Sequence, residues 1–165
     1  MNSALWAAIA GVLGVILGRF WDWRSEAKRW RRDQRVASYQ RLNEAFILAY
    51  EAIRRVALAE LGSSRFMELV DDARRDKNWD NALAGVWFHG SQAVAAAALA
   101  MDEVVTETFY KAQEDNFTVN EWNQLRVQSG KAYEAFVAAI RRELRLAPIP
   151  VTLFSYVPDA DGLRQ

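Results

Sequence analysis

Residues Ala4 to Gly18 read ALWAAIAGVLGVILG without a charge, and the next six, Arg19-Phe20-Trp21-Asp22-Trp23-Arg24, crowd aromatics and cations together. A run like this has few uses. A spanning helix needs roughly 20 mainly apolar residues, and the run reaches that length by adding Met1-Asn2-Ser3 before it and Arg19-Phe20-Trp21 after it. Arg19 can lay its stem in lipid and hold its guanidinium at the headgroups. Trp21 and Trp23 suit the same interface, where an amphipathic ring is favoured. A cleaved signal peptide would carry its cations before the run and a small-x-small site after it, and here the first charge follows the run. An in-plane helix needs a polar face, which the run lacks. A buried core helix is the remaining rival. The residues read best as a membrane anchor with an interfacial collar formed by Arg19, Trp21, Trp23, Arg24, Lys28 and Arg29.

Charge sets the expected orientation. Between Arg19 and Arg35 stand seven cations and three anions, and no charged side chain precedes Ala4. Lys and Arg stay on the cytoplasmic side, so the expectation is a single-pass protein with its N-terminus outside and its C-terminal domain in the cytoplasm. Ala7, Gly11, Gly14 and Gly18 recur on one face of the anchor. Small residues let helices approach closely in lipid, which makes this stripe the candidate for helix–helix packing with a second copy or a partner.

The 21 basic and 21 acidic residues cancel. The Arg19–Arg35 segment holds +4 of that balance, where anionic headgroups would meet it. Its Arg/Trp alternation is also what a nucleic-acid stacking surface uses. Its place directly after an anchor assigns it to lipid, and no nucleic-acid partner is expected. The chain has no cysteine and one histidine, His89. Disulfides, thiolate nucleophiles and Cys or multi-His metal sites are thereby excluded.

From Ser25 to Leu61 there is neither glycine nor proline, and most residues are good helix formers. Val36, Tyr39, Phe46, Tyr50, Ile53 and Ala57 recur at alternating spacings of three and four, with Asn43 in the gap. That is a coiled-coil-like heptad seam. Joined to the anchor, it predicts one helix from about Ser3 to Leu61, on the order of 90 Å at 1.5 Å per residue. Residues Trp23 to Arg35 are too polar for burial. Asn43 either fixes register or sits in the core with its amide satisfied locally.

Gly62-Ser63-Ser64 ends that helix and caps the next. A short helix from Arg65 to Arg75 would bury Phe66, Leu69, Val70 and Ala73. After a loop at Asp76-Lys77-Asn78, Asp80 or Asn81 caps a third helix, Ala82 to about Gln113, kinked or interrupted near Gly85 and Gly90. Its middle, Ala93 to Met101, is apolar on every side and is expected at the bundle centre. Thr118-Val119-Asn120-Glu121 forms a capping box, with Phe117 and Trp122 as its staple. The fourth helix runs to about Arg145, buries Trp122, Leu125, Ser129, Tyr133, Phe136, Ile140 and Leu144, and sets Arg141, Arg142 and Arg145 against the dipole. Pro148-Ile149-Pro150 stops it, and Val151–Val157 reads as an extended segment that packs across the bundle or docks on another protein.

The expected fold is therefore all-α: a single N-terminal transmembrane helix continuing into a stalk and an antiparallel four-helix bundle, with an extended C-terminal tail. The boundaries are 1–24 for anchor and collar, 25–147 for stalk and bundle, and 148–165 for the tail. No phosphate-binding loop, H-E-x-x-H, G-x-S-x-G or Glu-x-x-His stands in the chain. His89, in Trp87-Phe88-His89-Gly90, has no nucleophile to serve. The acidic pairs Asp71-Asp72 and Asp102-Glu103, with Glu107 one turn on, read as a solvated face rather than a cation site. No catalytic residue, cofactor or metal is expected. The functional expectation is a membrane-anchored scaffold or accessory subunit that presents its bundle to a partner protein or to a second copy. A self-associating, bilayer-perturbing effector and an enzyme with an unrecognised site are the alternatives.

Overall fold

The computed structural model describes the backbone of residues 3–75 and 77–149, and the side chains of residue 26 and of 29 onward within those ranges. It is all-helical. The five helices are α1 (Ser3–Ala57), α2 (Ser64–Arg75), α3 (Asn78–His89), α4 (Gln92–Lys111) and α5 (Val119–Glu143). The chain divides into two compact units between Ala37 and Ser38.

The first unit is the leading part of α1. Glu26, Arg29, Trp30, Arg31, Arg32 and Asp33 are exposed, as the polarity of that stretch requires. Among the described residues no helix is long and apolar enough to cross a membrane. The stripe Ala7, Gly11, Gly14 and Gly18 and the collar residues Arg19, Trp21, Trp23, Arg24 and Lys28 have side chains outside the described residues; Arg29 is exposed.

The second unit is a helical bundle. Tyr39 reaches Glu143, Tyr50 reaches Arg126, and the amide of Phe117 donates to the Ala57 carbonyl at 3.2 Å. From Ser38 onward, α1 therefore runs antiparallel to α5. Helix α4 also packs antiparallel on α5, tied by Ser91 to Glu143 at one level and Thr108 to Ser129 at another. Helices α2 and α3 together form the returning limb between α1 and α4. The four limbs of the expected bundle are present, but the helices are cut differently.

The third expected helix is two. Gly90 leaves the helix with φ −73° and ψ 162°, and Ser91 takes the cap of α4, its Oγ accepting from the Val94 amide. A Cβ on Gly90 would lie 2.5 Å from the Val86 carbonyl and 3.4 Å from the Tyr39 ring. The turn is tight because only glycine lets the backbone come that close. Nor do Asp80 or Asn81 cap anything: α3 begins at Asn78 after Lys77, without a side-chain cap.

The alanine-rich middle is likewise only half inside. Val94, Ala98 and Met101 are buried, while Ala93, Ala96, Leu99 and Ala100 are exposed. The seam on α1 is wider than a coiled coil's. Leu42, Ala45 and Val56 are buried along with Tyr39, Phe46, Ile53 and Ala57, which is the broad stripe of a bundle helix. Helix α1 stops at Ala57 rather than Leu61, and Gly62 takes φ 79° in the connection. Ser63 Oγ then accepts from the Phe66 amide and opens α2. At Thr118 the capping box is present in both directions. Helix α5 closes at Glu143, with Arg145 at φ 57°. The Val151–Val157 segment lies outside the described residues.

Candidate functional site

Polar contacts inside the bundle are spaced along its length, and each joins two or three helices. Near the α3–α4 turn, Tyr39 Oη and Ser91 Oγ both donate to Glu143 Oε2 at 2.7 Å. One carboxylate oxygen thus pins α1, the start of α4 and the end of α5. Further along, Tyr133 Oη donates to Asn43 Oδ1, and the Tyr133 ring stacks on Phe46 with centroids 4.4 Å apart. Asn43 is therefore a half-buried position whose amide oxygen is satisfied across the bundle by α5. Burial pushes the Tyr133 hydroxyl above its ordinary value of 10.0, because the ionised form loses its water. Arg126 donates to Tyr50 at 3.0 Å, and Tyr50 packs on Trp122. Thr108 and Ser129 share a buried hydroxyl contact at 2.9 Å. These pairs fix register between helices whose apolar surfaces alone would slide.

Two open surfaces among the described residues bear on function. One is a groove of about 400 Å³ where the returning limb is broken between α2 and α3. Its floor is Ala49, Ile53, Leu69, Trp79 and Phe109, and Asp72, Asp80, Arg55 and Arg74 stand at its edge. The Trp79 indole N–H donates to Asp102 Oδ1 at 2.6 Å. That contact gives Asp102 a structural role the acidic-pair pattern did not indicate. Glu107 pairs with Lys111 one turn on. Among the described residues no group of three or more His, Asp or Glu side chains gathers as a metal set.

The other surface is the outer face of the α3–α4 hairpin. From Ala82 to Met101 there is no Asp, Glu, Lys or Arg. Ala84, Trp87 and Phe88 are exposed on α3, and Gln92, Ala96 and Leu99 on α4. Trp87 is 69% and Phe88 85% exposed, two large apolar side chains next to one another in the chain rather than one scattered alone. His89 is exposed beside them. The aromatic setting the sequence implies for His89 is thus a solvent-facing patch.

The expected interface residues Arg19 to Arg29 and the packing stripe Ala7 to Gly18 lie in the first unit, apart from both open surfaces by sequence. Glu143, Ser91, Trp87 and Phe88 did not stand out as functional positions in the sequence. Their signals were weak: a lone serine after a glycine, and two adjacent aromatics in a stretch, Ala82 to Met101, without Asp, Glu, Lys or Arg. No family model, no curated protein and no solved structure matches this chain.

Proposed function

We propose that the chain is a single-pass, membrane-tethered scaffold or accessory subunit. Residues 1–24 hold it in the bilayer with the N-terminus outside, and the bundle is offered to a protein partner on the cytoplasmic side. The observation that carries this reading is the continuity of α1, one unbroken helix from Ser3 to Ala57. It links the uncharged run to the first helix of the bundle with neither glycine nor proline in Arg19–Leu61. The lack of a catalytic motif in the sequence agrees with it, because His89 has no nucleophile beside it in any motif.

The collar supplies the second support. Each cation near an anionic surface adds about 1 kcal/mol, and Arg19, Arg24, Lys28 and Arg29 follow directly on the uncharged run.

The test is fractionation of the full chain, expressed in cells, with alkaline extraction of the membranes. The chain stays in the pellet, and deletion of residues 1–24 moves it to the supernatant. Val12→Arg weakens retention, because a cation at the middle of a span costs about 2.5–3.5 kcal/mol. A chain that stays in membranes without residues 1–24 contradicts the proposal.

A further inference from the structure

Helix α2 forms one wall of the groove beside Trp79, and from the way it is held we infer that α2 is a lid on that groove. Of its 12 residues, Phe66 and Val70 are buried, Leu69 and Ala73 are half-buried, and the rest are exposed. Its ion pairs, Arg65 with Glu68 and Asp71 with Arg75, lie within the helix. Among the described residues its one side-chain hydrogen bond to another limb runs from Arg74 to Gln113, at 3.0 Å on the surface. The other helices are tied across the bundle by groups at least half-covered: α1 to α5 through Tyr39 and Tyr133, α4 to α5 through Ser91 and Thr108, α3 to α4 through Trp79.

The chain on either side of α2 is fixed. The Leu61 amide donates to Asn116 Oδ1 at 2.6 Å, and the Trp79 indole is held by Asp102. Just after the first of these points Gly62 takes φ 79°, with open space where a Cβ would stand. Before the second, α3 starts at Asn78 without a side-chain cap. Short connections of this kind absorb the change in backbone angles when one element swings and its neighbours stay. Beneath α2, Leu69 and Ala73 share a space of about 400 Å³ with Ile53 of α1 and with Val105 and Phe109 of α4. Side chains that border a gap forgo the dispersion contacts of close packing, so α2 is lightly held on the side it covers. Once released, a 12-residue helix is too short to persist alone. The lid therefore opens while the rest of the bundle stays folded, and opening bares the apolar floor of the groove. It lies wholly within the second unit, so it opens whether or not residues 1–24 hold the chain in a bilayer.

Hydrogen exchange on the full chain in mild detergent, followed by mass spectrometry at several sub-denaturing guanidinium concentrations, tests this. Relative to their unfolded-chain rates, amides of 67–75 on α2 exchange at least about 100-fold faster than amides of 126–139 on α5, because a local opening needs less free energy than global unfolding. The α2 rates change little with denaturant while the α5 rates climb, since a small opening exposes little surface. The cysteine-free sequence supplies a second readout. Val105→Cys and Val94→Cys each place one thiol at a buried position on α4, the first lining the groove and the second away from it. A soluble thiol reagent labels the Val105→Cys chain at least about tenfold faster than the Val94→Cys chain, in step with α2 exchange. The exchange measurement uses the unaltered chain and decides the matter should either variant fail to fold. Helix α2 exchanging at the rate and with the denaturant slope of α5 overturns the inference, as do equal labelling rates in two folded variants. Fast labelling at position 105 with slow exchange throughout α2 overturns it too, because the groove would then be reached without the lid moving.

Discussion

The contact between α1 and α5 and the outer face of the α3–α4 hairpin draw on similar residues and do different things with them. Both hold aromatics, alanines and few charges. At the first, Tyr39, Phe46, Tyr50, Trp122, Tyr133 and Phe136 are covered or half-covered, and each tyrosine hydroxyl has a named partner on the facing helix or its neighbour. At the second, Trp87 and Phe88 are 69% and 85% exposed. Apolar content alone does not decide burial. The first surface is closed by cross-helix polar pairs that fix which helix meets which. At the second, the two large aromatics lie outside the core cluster.

The comparison predicts a graded set of outcomes. Phe136 is fully buried, so Phe136→Ala lowers unfolding stability by about 3–5 kcal/mol in denaturant titration. Tyr133→Phe keeps the stacked ring and removes the donor to Asn43, leaving a half-buried amide oxygen unpaired at a cost of about 1–3 kcal/mol. Gly90→Ala forces the turn between α3 and α4 to shift, because its Cβ would meet the Val86 carbonyl. The same titration should show a loss of roughly 1–3 kcal/mol, as for other overpacked sites.

Thr118→Ala breaks the capping box and costs about 1 kcal/mol. That contribution also depends on pH. Hydrogen bonds from the Thr118 amide, then from its hydroxyl, hold the Glu121 carboxyl below its ordinary value of 4.5. A folded-state value below the unfolded one stabilises above the unfolded pKa, and the gain is lost as pH falls through the folded value. Unfolding midpoints of the parent and Thr118→Ala therefore draw closer, without meeting, as pH drops below about 4.5: the substitution keeps the amide donor and removes only the hydroxyl's share, and the hydroxyl also accepts from the Glu121 amide at any pH. Smallest of all is Phe88→Glu, an exposed substitution expected within about 0.5 kcal/mol of the parent. A larger loss would show that Phe88 is covered within its own chain.

The same contrast explains what was legible in the sequence. Helix α5 was readable almost to its ends, because Thr118, Glu121 and the Trp122–Phe136 stripe are local signals with a fixed spacing. The core face of α1 was readable in part. The heptad pattern picked out Tyr39, Phe46 and Ile53 but passed over Leu42 and Val56, since a bundle helix is approached from two sides and a coiled-coil strand from one. The break at Gly90-Ser91 was legible in part: Gly90 marked a kink or interruption, but not the full end of one helix and a serine cap on the next. A stretch without charges has no polar face against which to measure periodicity. Exposing an alanine side chain costs under about 1 kcal/mol, so Ala93 to Ala100 carried little information on which side faces inward. Glu143 could not be found locally at all. Its partners Tyr39 and Ser91 are distant in sequence, and only the folded bundle brings the three together.

The bundle is held together through α1 and α5, while Trp87 and Phe88 on α3 lie outside its core. Equilibrium unfolding of Phe136→Ala and Phe88→Glu, measured side by side on the full chain, tests it most directly. The account predicts a loss of several kcal/mol for the first and no measurable change for the second. Comparable losses in both would mean that the hairpin face is part of the core, and would contradict it.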